Sequence, residues 1–84
     1  HVLDFSLYPN PNQGVFDVRV QLDELQGIKL WIFDDDGTLI ESRDRDGANF
    51  YLEEFVLANL QTGVYTLVLQ TNVQWYYLSF VVSE

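Results

Sequence analysis

Cysteine and methionine are absent from the 84-residue sequence, and histidine occurs once, at position 1. Without cysteine the chain has neither a disulfide nor a thiol nucleophile. A Ser–His–Asp triad would have to recruit His1, and residues at a chain terminus are poorly held in place. These absences argue against a catalytic centre, and we expect a protein that is not an enzyme.

Basic residues are scarce as well. Four Lys and Arg stand against thirteen Asp and Glu, which gives a net charge of −9. A surface of this sign repels nucleic-acid phosphates and anionic lipid headgroups, so we expect neither partner. No apolar run approaches the roughly 20 residues that a membrane-spanning helix needs, and the sequence therefore predicts no such segment.

Hydrophobic residues make up 48% of the chain and aromatic residues 15%, enough for one compact core. They recur with the period of two that is typical of strands, and no window keeps a helical spacing. The strands are separated by turn signals at intervals of about ten residues, which predicts an all-β, antiparallel β-sandwich and a single domain over residues 1–84. The predicted strands are residues 2–8, 15–22, 28–33, 38–42, 50–57, 63–70 and 74–82.

The apolar residues of the fifth predicted strand do not all fall on one face. Phe50 and Leu52 point to one face of an ideal strand, whereas Phe55 and Leu57 point to the other. A regular strand would leave one of these pairs in water. We therefore predict a bulge or a break at Glu53 and Glu54, which would also keep the two carboxylates solvated.

The segment between the first two strands, residues 8–14, has the sequence Tyr-Pro-Asn-Pro-Asn-Gln-Gly. Pro9 and Pro11 fix their own φ and favour extended conformations in the residues before them. The amides of the asparagines can bond to nearby backbone, and Gly14 can adopt a positive φ at little steric cost. We expect a stiff, sharply shaped corner.

Acidic residues cluster in two predicted turns. Asp34, Asp36, Asp44 and Asp46 offer the hard oxygen ligands that Ca²⁺ prefers. Their spacing does not match the EF-hand loop, and hairpin turns select Asp and Gly for conformational reasons alone. We expect plain turns and no cofactor, and keep a Ca²⁺-stabilised structural module as an alternative.

The aromatic residues admit two interpretations. Most of them are expected to fill the core of a small sandwich, with tyrosine hydroxyls reaching water at its edge. Trp31 is the residue most readily expected on the surface, because it alternates with the apolar set of its own strand. If neighbouring rings join it on an outer face, the chain would be an adhesive or carbohydrate-contacting module of a cell-surface protein.

Three motifs go further than composition. Residues 5–11, Phe-Ser-Leu-Tyr-Pro-Asn-Pro, are followed by Gly-Val-Phe at 14–16 and an alternating strand. Residues 30–34, Leu-Trp-Ile-Phe-Asp, precede Asp-Gly-Thr-Leu-Ile at 36–40, and residues 57–65 run from a leucine through a short turn to Gly-Val-Tyr. In this order and spacing, over nearly the whole chain, they resemble the C-terminal sorting domain of the type IX secretion system (type A, Por secretion system family).

The resemblance implies an Ig-like sandwich of about seven strands at the C-terminus of a larger exported protein of Bacteroidetes-type bacteria. Such a domain is a targeting signal that takes cargo from the periplasm across the outer membrane to the cell surface or the medium. It implies recognition by the translocon, usually followed by cleavage by a sortase-type protease. Carried over to this sequence, the signal residues are Pro9, Asn10, Pro11, Gly14, Gly63 and Tyr65.

The same residues also have a structural interpretation, since the hydroxyl of Tyr65 could tie down a loop as in the tyrosine corner of Ig-like sandwiches. The last predicted strand is expected at a sheet edge, where backbone groups can accept a partner strand or a second copy of the chain. Phe80 and Val82 on this strand, together with Trp31, are the predicted docking residues. Members of the family commonly end in a strand with Lys or Arg close to the C-terminus, and this chain departs from that pattern, because no Lys or Arg follows Arg45.

Overall fold

The computed structural model describes residues 1–83, which form seven strands in two antiparallel sheets and contain no helix. The three-stranded sheet has the order β1-β2-β5, and the four-stranded sheet has the order β4-β3-β6-β7. The predicted all-β sandwich is confirmed. The strands are β1 Val2–Tyr8, β2 Val15–Leu22, β3 Ile28–Phe33, β4 Leu39–Arg45, β5 Phe50–Val56, β6 Gly63–Gln70 and β7 Trp75–Val82.

The core lies between the two sheets and is filled by alternate side chains of each strand. In β2, Phe16, Val18 and Val20 are buried, while the residues between them face outward or lie at the boundary. From the other sheet, β6 contributes Leu67 and Leu69, which have no exposed surface. This alternation of inward apolar and outward polar residues is what an antiparallel sheet with one solvated face requires.

The bulge predicted in β5 is wrong, because β5 pairs with β2 over its whole length without a register shift. Tyr51 and Phe55 face the core with Glu53 between them, whereas Phe50 and Leu52 stay outside at 41% and 59% exposure. The parity conflict is thus resolved by leaving two apolar side chains in solvent. The inward carboxylate of Glu53 is tolerated because it is paired with arginine.

Arginines from β4 cross to β5 and close this side of the sandwich. Arg43 Nε lies 2.7 Å from Glu41 Oε2, and its Nη1 lies 3.3 Å from Glu53 Oε1. Arg45 Nε approaches the same Glu53 oxygen at 2.9 Å, and the Arg43 guanidinium lies 3.7 Å from the centroid of the Phe55 ring. We call Glu41, Arg43, Arg45 and Glu53 the charged seam; it joins the two sheets.

The fourth strand also differs from its prediction. It runs from Leu39 to Arg45 rather than over residues 38–42, and it carries a register shift opposite Ile32 and Phe33. Its polar second half has the composition of a turn. The ion pairs of the charged seam give that half a partner on the neighbouring sheet, which supports its extended conformation.

Candidate functional site

Residues 9–14, which we call the corner, connect β1 to β2 and are organised by Asn12. The Asn12 Nδ2 donates a hydrogen bond to the Pro9 carbonyl at 2.9 Å, and its Oδ1 accepts one from the Gly14 amide at 2.9 Å. The side chain is buried, and the peptide bonds before both prolines are cis. One buried asparagine therefore fixes the path of the corner from inside.

The corner also pairs with the end of β7. The Asn10 Oδ1 accepts a hydrogen bond from the Val81 amide at 2.9 Å, and the Asn12 amide donates one to the Val81 carbonyl at 3.0 Å. The Ser83 amide in turn donates to the Asn12 carbonyl at 2.9 Å. These bonds form a short parallel bridge, so the corner covers the last part of a sheet edge that would otherwise be open.

Gly14 is the position where the corner tolerates no side chain. Its φ is +101°, and a Cβ there would overlap the carbonyl oxygen of Leu57. The Leu57 amide donates a hydrogen bond to the Gly14 carbonyl at 2.8 Å, which extends the pairing of β2 with β5. The corner is thus bonded to both sheets, and glycine is required where it passes the end of β5.

Tyr65 lies near the start of β6 and is buried. Its hydroxyl donates a hydrogen bond to the Gln61 carbonyl at 2.6 Å, and its ring stacks on Phe80 with centroids 5.7 Å apart. This is the tyrosine-corner arrangement of Ig-like sandwiches. Gly63 differs, because a Cβ there would meet only the Asp35 carboxylate, at 3.9 Å, among the described atoms. Nothing in the structure explains a glycine at position 63.

The docking role predicted for the side chains of Phe80 and Val82 is wrong for the folded domain, because each is only 1% exposed. β7 is an edge strand, as predicted. Both parities of this strand are apolar, so periodicity alone could not tell which one faces the core. The side chains that β7 presents to solvent are those of Trp75, Tyr77, Ser79 and Val81.

Trp31 lies on the outer face of the four-stranded sheet and is half-buried. Its indole stacks on that of Trp75, with centroids 5.2 Å apart and planes at 11°. Trp75 is 50% exposed and Tyr77 71%, while Val68, paired with both Trp31 and Tyr77, is buried. We call these four residues the aromatic patch. Sequence periodicity placed Trp31 outside but could not show that Trp75 reaches it across β6.

The four aspartates considered for Ca²⁺ do not form one site. Asp34 and Asp36 lie in the turn between β3 and β4, together with Asp35, and one carboxylate oxygen from each of the three lies within 4.8 Å of the others. Asp44 and Asp46 lie at the opposite end of this hairpin. The Asp34 Oδ1 already accepts hydrogen bonds from two backbone amides of the turn, each at 2.9 Å.

The family model described as "Secretion system C-terminal sorting domain" matches residues 6–83. The chain belongs to this family. The matched range of the sorting domain includes the corner, the β3–β4 hairpin and the tyrosine corner. No curated protein matches the chain.

Membership in this family establishes the general function of the domain. The sorting domain is a C-terminal signal of type IX secretion, its family is not a family of enzymes, and its protein is secreted to the cell surface or beyond. Its role implies contact with the secretion machinery. Residues 1–83 contain no helix with the length and apolar character to cross a membrane.

Proposed function

We propose that this domain carries an attached cargo protein, already in the periplasm, through the outer-membrane translocon of the type IX system. A sortase-type protease then usually removes the domain. Residues 1–84 act as a single module at the C-terminus of a larger exported protein. The observation that supports this most directly is the family match over residues 6–83, which spans one folded unit.

We infer that five of the six signal residues divide into two groups by exposure, while Gly63 has intermediate exposure and belongs to neither group. Gly14 and Tyr65 are buried and contact Leu57 and Gln61, so they shape the domain and are not available to a partner. Pro9, Asn10 and Pro11 are exposed on the outside of the corner and are available. The signal is then a folded surface whose form depends on the buried members of the motif.

The test is a fusion of residues 2–84 to a periplasmic reporter in a bacterium that has the type IX system. We expect the reporter at the cell surface or in the medium, and we expect export to disappear in a translocon-deficient strain. The same reporter without the domain is the matched control. A folded fusion that stays in the periplasm of the competent strain contradicts the proposal.

The second candidate function is that of an adhesive or carbohydrate-contacting module. The stacked pair of Trp31 and Trp75 favours it, because half of the Trp75 side chain is open to solvent beside the more exposed Tyr77. Exposed aromatic faces provide large, rigid contact surfaces. The test is binding to a glycan array. Binding that is lost in Trp31→Ala or Trp75→Ala but kept in Phe50→Ala, on the opposite sheet, would support this function. Binding that neither tryptophan substitution changes would exclude the aromatic patch as the binding surface.

A further inference from the structure

The two sheets in residues 1–83 end in four edge strands, and these strands differ in charge. Charged side chains occur in β1, β4 and β5, whereas β7 has the sequence Trp-Tyr-Tyr-Leu-Ser-Phe-Val-Val and carries none. Charged residues on an edge are a common protection against pairing with a foreign strand. Among the edges of the described fold, β7 is the one that lacks this protection.

The hydrogen bonds around β7 show which of its residues have unused backbone groups. The Thr71 amide donates to the Gln74 carbonyl, and by alternation the even-numbered residues of β7 direct their backbone groups towards β6. Val81 directs its amide and carbonyl to the other side, where both are bonded to the corner. Because backbone groups alternate along a strand, residues 75, 77 and 79 direct theirs to the same side as Val81.

The corner therefore leaves a defined opening. Its bridge pairs with β7 only around Val81 and Val82, and no strand of the described fold pairs with residues 75–79 on the outer side. The side chains beside the opening belong to the aromatic patch, in which Trp75 and Tyr77 are 50% and 71% exposed. A strand added here would find unpaired hydrogen-bonding groups and neighbouring aromatic side chains for its own outward residues.

We propose that the open edge at residues 75–79 binds an extended, basic segment of a secretion-machinery protein, which adds a fifth strand to the four-stranded sheet. The proposal rests on the function proposed above. The net charge of −9 favours a basic segment, and it opposes pairing with a second copy of this chain, which would bring two strongly acidic domains together. β7 itself contributes no charge that would repel the partner strand.

Ser79 allows a matched pair of variants that separates the backbone from the side chain. It is exposed, and the alternation along β7 directs its amide to the open side. Ser79→Pro removes this donor and places a ring in the path of a partner strand, while the ladder to β6 does not use that amide; prolines are tolerated at such edge positions. Ser79→Ala keeps the amide and removes the hydroxyl. Circular dichroism and thermal melting check that both variants fold.

The readout is binding of the domain to the detergent-solubilised translocon, with export of the reporter fusion measured in parallel. We expect Ser79→Pro to bind about tenfold more weakly than wild type or worse, since hydrogen bonding and packing at the edge are lost together. Ser79→Ala should bind like wild type, and raised salt should weaken all binding if the segment is basic. Equal binding by a folded Ser79→Pro variant and by Ser79→Ala overturns the proposal.

Other outcomes separate the edge inference from the proposed function and from dimer formation. If the wild-type domain is neither exported nor bound, the proposed function and this inference fall together; if it is exported and bound while folded Ser79→Pro matches Ser79→Ala, only the edge inference falls. Concentration-dependent dimers that Ser79→Pro abolishes, without translocon binding, assign the edge to a second copy.

Should the Ser79→Pro variant fail to fold, hydrogen exchange on the wild-type domain replaces it as the test. The amides of Tyr77 and Ser79 should then slow about tenfold on translocon binding, and unchanged exchange overturns the inference.

Discussion

The two lateral sides of the sandwich are closed by different interactions. On one side the charged seam joins β4 to β5 through side chains, with Glu53 held by both Arg43 and Arg45. On the other side the corner joins β2, β5 and β7 mainly through backbone groups and the amides of two asparagines. The first closure depends on charge, whereas the second depends on the path of the main chain at Gly14.

This difference explains why the motif at the corner is restricted in residue type. Ion pairs can be rebuilt from other charged residues at other positions. A backbone that passes the Leu57 carbonyl at a φ of +101° needs glycine, and the short bridge to Val81 needs the asparagines in register. The corner also stops at the end of β7, so the same structure that closes the sandwich leaves the remainder of that edge open.

The largest expected effect is that of Gly14→Ala at the corner. The positive φ and the overlap with the Leu57 carbonyl act together, and we expect a loss of about 3 kcal/mol in the free energy of unfolding, measured with urea. Gly37→Ala is the matched control, because Gly37 has a φ of +81° and nothing within 4 Å of a Cβ. Gly37→Ala should lower the free energy of unfolding only by the cost of placing alanine at a positive φ, about 1 kcal/mol. Equal losses would contradict the steric account.

Arg43→Ala tests the charged seam. It removes the 3.7 Å contact with Phe55 and one partner of Glu53, whose side chain is 12% exposed. Because Arg45 still pairs with Glu53, we expect a loss of about 2 kcal/mol, reduced at high salt. Arg19→Ala, which removes an exposed guanidinium 5.7 Å from the centroid of Phe50, is the control and should change stability by about 0.5 kcal/mol or less. A salt-independent loss would show that packing, not charge, holds this side.

Asn10→Ala removes the acceptor for the Val81 amide and should have a smaller effect. The bond is exposed, so we expect a loss of about 0.5–1 kcal/mol together with faster hydrogen exchange at Val81. Asn10→Asp keeps an acceptor oxygen in place and should leave exchange at Val81 slow. If both variants behave alike, the hydrogen bond does not protect this end of the edge.

The smallest effect is expected from Ca²⁺. The turn aspartate Asp34 already satisfies two backbone amides, and Asp44 and Asp46 are too far along the hairpin to complete its coordination. Added Ca²⁺ should therefore change the melting temperature no more than Mg²⁺ at the same concentration. A rise that is specific to Ca²⁺ and reversed by a chelator would restore the Ca²⁺-stabilised module as an interpretation.

Local pattern was enough to predict part of this fold. The bounds of β1, β2, β3 and β6 agree with the predicted ones, because alternation and flanking turn residues define them within the segment itself. β4 and β5 could not be predicted in the same way. The extended conformation of β4 at Arg43 and the inward orientation of the Glu53 side chain depend on each other through the ion pair between them. Neither feature is favourable without the other.

The site shows the same division between local and distant information. Gly14 was identifiable because a turn glycine is a local signal, and Tyr65 was identifiable from the Gly-x-Tyr motif that the chain shares with the family. The contact of Asn10 with Val81 spans 71 positions, and no property of either residue indicates the other. The stack of Trp31 on Trp75 likewise depends on the sheet order β3-β6-β7.

In the function proposed above, the sorting signal is read from a folded surface, and the buried motif residues act through the fold. Export of the reporter fusion carrying Tyr65→Phe tests it most directly, since this change removes only the hydroxyl bonded to Gln61 and should cost about 1 kcal/mol. At a growth temperature where the variant remains folded, we expect export at the wild-type level. A folded Tyr65→Phe domain that leaves the reporter in the periplasm would contradict it.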